Sequence, residues 1–307
     1  MMTTVRIPHI LDFDDNIKYK YFDLILGGGG FKSYYHIGLF KLLKTLEIES
    51  KIKIRYLIGT SAGALSAVSY ICNIDFEIWL ESYNVIRDKY NNQNDLFCCI
   101  KDVFLNYLPE NAHELCNGKV KILLSRLTCF GFKQELVEYF DSLDHLKQVI
   151  LATINIPILT CNNFYGVKIN KNLYYDGFFT KMTPIIVNND LPQLVVYTYK
   201  IFYPRKAILK PIDSFIDLLT IRGYKDTINF FKFNEHKILK WVDVDNKKMD
   251  TIKKGKILKW VDVDNTKMDT IKKGKFLKII IPLFFFIYST INTGDLQGTV
   301  GSPYLMV

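Results

Sequence analysis

The chain has 307 residues, of which 49% are hydrophobic, so it can bury a sizeable core and is not a globally disordered protein. Its formal net charge of +9 is an excess that usually indicates an anionic partner, either a nucleic acid or a membrane surface. Residues 237–275 contain 12 Lys and 6 Asp and therefore supply +6 of that charge. Because the rest of the chain is nearly neutral for its size, the composition argues against a nucleic-acid-binding face spread over the fold.

The cysteines and the N-terminus bear on the cellular compartment. The six cysteines are scattered and show no C-x-x-C spacing, which argues against a zinc site and against a thioredoxin-type redox pair. Residues 1–16 contain no uninterrupted apolar run of the signal-peptide type. We therefore expect an intracellular, cytoplasmic protein, with membrane association as an open alternative.

The first part of the chain predicts an α/β fold. Buried strands are expected at Phe22–Leu26 and Ile54–Ile58, and each runs into a turn that contains glycine. Apolar residues at helical spacing follow the first turn from Tyr35 to Leu46, and small residues follow the second from Ala62 to Ser69. This alternation of strand and helix predicts a parallel sheet.

The middle of the chain, from Asp75 to about Ile150, is predicted to be mainly helical, with breaks near Pro109 and Gly118. A final helix is predicted at Ser214–Phe231. Further strands are predicted at Ile156–Thr160, Phe164–Ile169 and Leu194–Tyr199, with Asp176-Gly177 in a turn that precedes the last of them.

A tandem repeat follows. The 19 residues Lys237–Gly255 recur as Lys256–Gly274, and only Lys247 against Thr266 differs between the two copies. Two copies are too few for a solenoid, so we interpret them as a duplicated surface segment. Their Asp-Val-Asp-Asn fragments resemble part of a calcium loop but lack its central glycine and closing glutamate, which argues against a metal site.

The most apolar run of the chain is Ile279–Tyr288, which is shorter than a bilayer-spanning helix and contains Pro282. We interpret it as a core segment or packed tail, with an interfacial membrane anchor as the alternative. The expected organisation is an N-terminal segment 1–20, a main domain 21–236, the lysine-rich repeat 237–274 and an apolar tail 275–307.

Gly59-Thr60-Ser61-Ala62-Gly63 matches G-x-S-x-G between a predicted strand and a predicted helix. On such a sharp turn the serine is held in strained backbone geometry as a nucleophile, and the helix N-terminus behind it presents backbone N–H groups. The alternative interpretation is a plain tight turn.

The glycines Gly27 to Gly30 admit two interpretations. A dinucleotide fingerprint would require a glycine where Ser33 stands and an acidic residue after the second strand, and neither is present. The other interpretation is an oxyanion hole formed by the amides of Gly28, Gly29 and Gly30 beside the serine turn, and the neighbouring G-x-S-x-G favours it.

A nucleophilic serine needs a base. Of the five histidines only His236 follows Asp176, as the Ser–Asp–His chain order of α/β-hydrolases requires, and it adjoins the repeat. His36 is expected to be a packing residue. Asp176-Gly177 follows the run Leu173-Tyr174-Tyr175 and, taken alone, indicates only a turn.

In this order, Gly28-Gly29-Gly30-Phe31-Lys32 with His36-Ile37-Gly38, Gly59-Thr60-Ser61-Ala62-Gly63 and Asp176-Gly177 resemble the motifs of the patatin-like phospholipase family. The resemblance covers about residues 21–199. It implies a three-layer α/β/α sandwich with a mainly parallel central sheet, and a Ser–Asp dyad that hydrolyses acyl esters of lipids without histidine. It further implies Ser61 as the nucleophile, Asp176 as the proton acceptor, an oxyanion hole of glycine amides, and Lys32 at the family's basic position.

Two residues depart from the family pattern. Ser33 stands where the family has a glycine, and Phe178 stands where a small residue follows Asp-Gly. A positive φ at Ser33 would strain the oxyanion loop by about 1–3 kcal/mol, whereas a negative φ would be tolerated. Phe178 is expected to narrow the pocket or to face a lipid chain.

The resulting hypothesis is a serine lipid acyl hydrolase that needs no metal or organic cofactor. Its expected partner is a lipid or phospholipid, with peripheral membrane contact through the repeat and tail, and nucleic acid is not expected. The alternatives are a catalytically impaired lipid- or membrane-binding member of the same fold, an α/β-hydrolase esterase that uses His236, and a basic tail that binds nucleic acid.

Overall fold

The computed structural model describes residues 17–161, 165–186, 190–201 and 213–242. The N-terminal residues 1–16, the repeat beyond Val242 with both of its Asp-Val-Asp-Asn fragments, and the apolar run Ile279–Tyr288 lie outside the described residues. None of the helices within the described ranges is long and apolar enough to cross a membrane.

Strands and helices alternate through the first half of the fold and become less regular later. The strands are β1 (Tyr21–Leu26), β2 (Lys53–Gly59), β3 (Val120–Thr128), β4 (Gly131–Val137), β5 (Val167–Ile169), β6 (Asn172–Asp176), β7 (Gln193–Val196) and β8 (Leu239–Val242). The helices are α1 (Tyr34–Ile48), α2 (Ala62–Ile71), α3 (Phe76–Gln93), α4 (Leu96–Asp102), α5 (Ala112–Cys116), α6 (Leu143–Thr153) and α7 (Asp213–Phe233).

These strands form one mixed sheet in the order β5-β6-β3-β2-β1-β7-β8, with β4 paired to β3. The central pairs β3–β2, β2–β1 and β1–β7 are parallel, and the pairs towards both edges are antiparallel. Helices flank this sheet, which confirms the expected three-layer α/β/α fold with a mainly parallel centre. Strand β1 is buried from Phe22 to Leu26 and strand β2 from Leu57 to Gly59, because both strands have neighbours on both sides.

The prediction of mainly helical structure between Asp75 and Ile150 is wrong for residues 120–137. Residues 120–137 form the β3–β4 hairpin instead of a helix. The turn is specified locally, because Gly131 has a φ of +118° and the Thr128 hydroxyl donates to the Gly131 carbonyl at 2.8 Å. The apolar run of β3 lies inside the sheet, where a continuous hydrophobic pattern suits a strand as well as it suits a helix.

Two strand predictions also need correction. Ile156–Thr160 is a turn, because the Thr160 hydroxyl donates to the Ile154 carbonyl and accepts from the Ile156 amide, which occupies the local backbone groups. The strand predicted to reach Tyr199 ends at Val196, after which Thr198–Lys200 forms a 3₁₀ turn. Part of the strand predicted at Phe164–Ile169 is present as β5, and its first residue lies outside the described ranges.

Helices α1 and α7 meet at two glycines. A Cβ at Gly38 would overlap the Thr220 carbonyl, and a Cβ at Gly223 would overlap the Tyr35 carbonyl, so the two backbones touch. The Tyr35 hydroxyl also donates to Asp226 of α7 at 3.2 Å. This close crossing fixes α7 against the helix that follows the glycine-rich loop.

The sheet extends beyond residue 236, where the main domain was expected to end. Strand β8 lies within the first repeat copy and pairs with β7 in antiparallel register, Leu194 opposite Trp241 and Val196 opposite Leu239. Leu239 is fully buried, and the Trp241 ring lies 5.0–5.4 Å from the rings of Tyr19, Phe22 and Phe230. The first six residues of the duplicated sequence thus include an ordered strand.

Candidate active site

Ser61 lies at the turn between β2 and α2, in the position that caps the helix. Its φ of +53° and ψ of −133° are strained for a residue with a Cβ. The turn persists because the surrounding backbone fixes it, with the Ser61 amide donating to the Thr153 hydroxyl at 2.9 Å and the Gly63 amide donating to the Thr60 carbonyl. The result is the nucleophile-elbow geometry that G-x-S-x-G predicts.

The two glycines of this motif are required by close packing. A Cβ at Gly59 would lie 2.6 Å from the Ala64 amide nitrogen, and a Cβ at Gly63 would overlap the Leu26 carbonyl at the end of β1. Any side chain at either position would therefore push α2 away from the ends of β1 and β2, and Ser61 would move with it.

Asp176 lies at the end of β6 and is fully buried. Its Oδ1 accepts a hydrogen bond of 2.8 Å from the Phe178 amide, whereas its Oδ2 has no hydrogen-bond partner within the described part of the chain. Burial raises the pKa of Asp176 to about 7, against the smaller opposing effects of the Phe178 amide and the nearby Ser61 hydroxyl. The carboxyl group is thus poised to take up a proton near neutral pH.

Gly177 holds this carboxylate against the elbow. A Cβ at Gly177 would overlap the Thr60 hydroxyl and lie 2.9 Å from the Leu123 carbonyl. The glycine after Asp176 is therefore needed for the β6 turn to approach the turn that carries Ser61, a requirement that the Asp-Gly pair alone did not reveal.

The glycine-rich loop passes directly over the elbow, because a Cβ at Gly28 would lie only 3.1 Å from the Cβ of Ser61. The Gly28 amide donates to the Met182 carbonyl at 3.1 Å, so it is not free to bind an oxyanion while that bond is made. The amides of Gly29 and Gly30 have no acceptor among the described residues. Gly30 has a φ of +55°, which a glycine adopts without strain.

Two further residues contribute to this end of the site, and one of them, Thr198, was not evident from the sequence. The amide of Ala62 also lacks an acceptor in the described ranges. It lies next to Ser61 in the first turn of α2, where the backbone N–H groups of a helix have no partner within the helix. The Thr198 hydroxyl lies 2.9 Å from the Gly27 carbonyl and 2.8 Å from the Gly28 carbonyl, which ties the loop to the end of β7. Ala62 belongs to the G-x-S-x-G segment, whereas no local motif marks Thr198, because it acts through contacts with a distant element.

The two departures from the family pattern have distinct outcomes. Ser33 has a φ of −64° and lies in right-handed geometry, so its side chain causes no backbone strain. Phe178 lines the cavity and its amide holds Asp176, and its ring lies 5.7 Å from that of Phe179. Neither residue distorts the loop or the elbow.

Lys32 is almost fully buried beside the loop. Its Nζ donates to the Ile201 carbonyl at 2.9 Å and lies 3.5 Å from the Tyr199 carbonyl, and burial lowers its pKa. The residue therefore fastens the loop to the segment after β7.

Ser61, Asp176 and the glycine-rich loop face one cavity of about 240 Å³. Its other walls are mainly hydrophobic, and they come from α2, α3, α4, the turn after α6 and the segment after β6: Leu65, Tyr83, Ile86, Leu96, Ile100, Ile154, Ile156, Leu159, Phe178 and Met182. A cavity with polar groups at one end and hydrophobic walls elsewhere suits a ligand that combines a reactive polar group with an apolar chain.

None of the four histidines in the described ranges lines this cavity. His36 is fully buried, its Nδ1 lies 2.9 Å from the Ser66 hydroxyl, and burial lowers its pKa to about 3, so it is a neutral packing residue. His236 pairs through Nε2 with Asp226 at 3.3 Å and accepts from the Ile238 amide through Nδ1. The structure thus places His236 with α7 and not with Ser61 and Asp176, contrary to the triad alternative.

Comparison with known proteins agrees with this geometry. The model of the patatin-like phospholipase family matches residues 24–188, which is more than half of the chain. This chain belongs to the patatin-like phospholipase family.

Particular relatives carry several activities in their names. The chain is 28% identical over 174 residues to a 1-acylglycerol-3-phosphate O-acyltransferase of Mus musculus, covering 53% of this chain and 40% of that protein. It is 27% identical over 168 residues to an omega-hydroxyceramide transacylase of Homo sapiens, covering 51% and 30%. It is 26% identical over 175 residues to patatin-like phospholipase domain-containing protein 2 of Mus musculus, covering 53% and 34%. The chain thus matches less than half the length of these curated relatives.

Proposed function

We propose that this protein is a serine acyl hydrolase that cleaves carboxylic ester bonds of lipids through Ser61 and Asp176. The observation that carries the proposal is the placement of a serine in strained backbone geometry beside a buried carboxylate, both at the end of one hydrophobic cavity. Among the described residues, Oδ2 of this carboxylate has no hydrogen-bond partner of ordinary geometry. The family membership and the names of the relatives support a lipid ester as the substrate class.

In the proposed reaction, the Ser61 hydroxyl attacks the ester carbonyl and its proton passes to Oδ2 of Asp176. The negative charge that develops on the carbonyl oxygen is stabilised by backbone amides, for which Gly29, Gly30 and Ala62 are the candidates. The departing alcohol recovers the proton from Asp176. Water then attacks the acyl-enzyme with Asp176 again acting as the base, which releases the fatty acid and restores Ser61.

The acyl-enzyme has a second possible outcome, which the relatives' names favour. Where the alcohol of another lipid replaces water as the attacking group, the same two residues perform acyl transfer instead of hydrolysis. An acyltransferase and a transacylase occur among the relatives, so transfer is the second candidate function. The two reactions share every step up to the acyl-enzyme.

The alternative of a catalytically impaired family member depends on two residues, Ser33 and Phe178, and the first of them no longer favours it. Ser33 adopts a negative φ, so the oxyanion loop carries no strain from its side chain. Phe178 remains as a constraint on the size of the cavity, and it favours a slender acyl chain beside the dyad over a bulky group.

The test is a panel of glycerolipid esters, with and without a lysolipid or diacylglycerol as acceptor, assayed with the full chain and with Ser61→Ala and Asp176→Asn. We expect both variants to lose at least about 10³-fold in turnover, because the nucleophile and base act as one unit. Free fatty acid as the main product supports hydrolysis, and acylated acceptor as the main product supports transfer.

Ser69→Ala is the matched control for Ser61→Ala. Ser69 lies on the same helix, is fully buried and has no side-chain hydrogen-bond partner among the described residues, yet does not line the cavity. It should retain nearly full activity. Equal rates for the parent, Ser61→Ala and Asp176→Asn would overturn the enzymatic proposal.

A further inference from the structure

The edge of the sheet at β7 is occupied by a strand whose sequence occurs twice in the chain. Strand β8 and the two residues before it read Lys-Ile-Leu-Lys-Trp-Val at 237–242, and the same six residues recur without change at 256–261. The second copy lies outside the described residues.

The pairing of β8 with β7 and the seating of its side chains in the core are made by residues of this hexapeptide. Ile238 and Leu239 are almost fully buried, and the Ile238 carbonyl accepts from the Tyr197 amide at 2.8 Å. Trp241 fills an aromatic group formed by Tyr19, Phe22 and Phe230. An identical hexapeptide in the same register would make the same backbone bonds and fill the same side-chain sites.

We propose that the second copy, Lys256–Val261, is an alternative occupant of this β7 edge, which the two copies exchange within one molecule. Exchange would place Trp260 where Trp241 lies and Ile257 where Ile238 lies. The chain that leads from the catalytic domain to the C-terminal residues would then leave the sheet 19 residues later along the sequence.

Two features favour the first copy. The connection from α7 to the strand contains 5 residues for the first copy and 24 for the second. Because the probability of closing a flexible loop falls with roughly the 3/2 power of its length, this difference favours the first copy by about tenfold. In addition, His236 precedes the first copy and pairs with Asp226, whereas Gly255 precedes the second.

The exchange matters to the catalytic region because β7 leads directly to it. The strand ends at Val196, and Thr198 just beyond it binds the carbonyls of Gly27 and Gly28 in the glycine-rich loop. A second copy of the edge strand would keep β7 paired when the first is displaced, and thereby keep this loop in place.

The three tryptophans of the chain permit a direct test by fluorine NMR of the protein labelled with fluorotryptophan. Trp79 is buried in the α3 region and serves as an internal reference. In the parent we expect the Trp241 signal at the chemical shift of a ring packed against the aromatic group. Only about a tenth of the Trp260 signal should appear at that same shift. In Trp241→Ala, the Trp260 signal should move to the position that Trp241 has vacated.

Hydrogen exchange at the Tyr197 amide measures the same event as a rate. We expect the hydrogen-exchange rate of the Tyr197 amide to be unchanged in Trp260→Ala and to rise by about tenfold at most in Trp241→Ala. In the double variant the rate should rise by more than about a hundredfold, because neither copy then has a tryptophan for the site. His236→Ala should increase the Trp260 fraction in the buried position. Deletion of residues 237–255 joins His236 to Lys256 and should give exchange at the parent rate.

Four results would overturn the proposal. The first is hydrogen exchange at the Tyr197 amide that is as fast in Trp241→Ala as in the double variant. The second is a Trp260 signal that does not move in Trp241→Ala. The third is a buried Trp260 signal that grows with protein concentration together with a dimer, because the occupant would then be a second molecule. The fourth is hydrogen exchange at the Tyr197 amide that is much faster in the deletion variant than in the parent, because the two copies would then not be equivalent.

Discussion

Two aspartates are fully buried in the described part of this protein, and they have opposite surroundings. Asp23, near the start of β1, accepts from Arg55 Nε at 2.9 Å, from Arg55 Nη2 at 2.7 Å and from the Tyr56 amide at 3.2 Å. Asp176, at the end of β6 beside Ser61, accepts from the Phe178 amide through Oδ1, and its Oδ2 has no hydrogen-bond partner of ordinary geometry in the described part of the chain. A buried carboxylate whose two oxygens both accept hydrogen bonds is compatible with a stable fold. A buried carboxylate with one oxygen left without a hydrogen bond lowers the stability of the fold and is available for proton transfer.

The largest expected difference between the two aspartates is in activity. Asp176→Asn should lower ester turnover by about 10³-fold or more, since an amide cannot take up the serine proton. Asp23→Asn should leave the turnover of the folded protein within about twofold of the parent. Rates normalised to folded protein by circular dichroism check this expectation, and a large loss in Asp23→Asn would erase the distinction.

Stability should respond in the reverse sense and depend on pH. The folded-state pKa of Asp176 is about 7 against an ordinary value of 3.8, so between these values the unfolded chain releases a proton that the native state retains, and stability falls as pH rises. Asp176→Asn should therefore match the parent near pH 4 and be up to about 4 kcal/mol more stable above pH 7. Urea unfolding at pH 5 and pH 8 measures this gain, and an equal change at both values would contradict a buried, raised carboxyl.

Asp23→Asn should destabilise the protein by about 2–3 kcal/mol, because it removes the buried negative charge that pairs with the half-buried Arg55 guanidinium, whose other ion pair is with the exposed Asp190. The same urea titrations at pH 8 provide the measurement. Arg55→Lys is a useful companion, since it keeps the positive charge but removes the two-pronged bond, and it should lose part of the same stability. A variant as stable as the parent would show that Asp23 is not held as its contacts indicate.

The pH dependence of catalysis should expose the titration of Asp176 directly. Only its ionised form can accept the Ser61 proton, so kcat/KM should be level above pH 7 and fall by about tenfold for each pH unit below it. A midpoint near pH 4, the ordinary value for an aspartate, would contradict a raised pKa of this carboxyl in the free enzyme, because kcat/KM reports the titration of the free enzyme. Measurements must stay within the range where the protein is folded.

The parts of the site that the sequence predicts are those defined by short local patterns. Gly59, Ser61 and Gly63 could be placed because a sharp strand-to-helix turn needs these residue types at fixed spacing, and Asp176-Gly177 because it ends a strand. The engagement of the Gly28 amide by Met182 could not be predicted, since the two residues are 154 positions apart and meet only in the fold. The hydrophobic walls from α3 and α4 were likewise not assignable, because an apolar helical face does not reveal what it packs against.

The fold shows the same division. The parallel centre follows from the alternation of short buried runs with helices, and it was predicted. The β3–β4 hairpin was taken for helix because its continuous apolar run has no strand period, and only Gly131 and the hydroxyl of Thr128 mark the turn. The strand at Leu239–Val242 was missed because a repeat rich in lysine resembles a solvated segment, although Leu239 and Trp241 pack into the core and its aromatic group.

The crossing of α1 and α7 at Gly38 and Gly223 has a consequence for the integrity of the chain. Residues 202–212 form the last part of the chain that connects the two helices, and the helices also hold each other by backbone contact and by the Tyr35–Asp226 hydrogen bond. A protease that cut between Ile201 and Asp213 should therefore leave two fragments that elute together under native conditions and separate only in denaturant. The same property would allow the protein to be reassembled from two separately expressed halves.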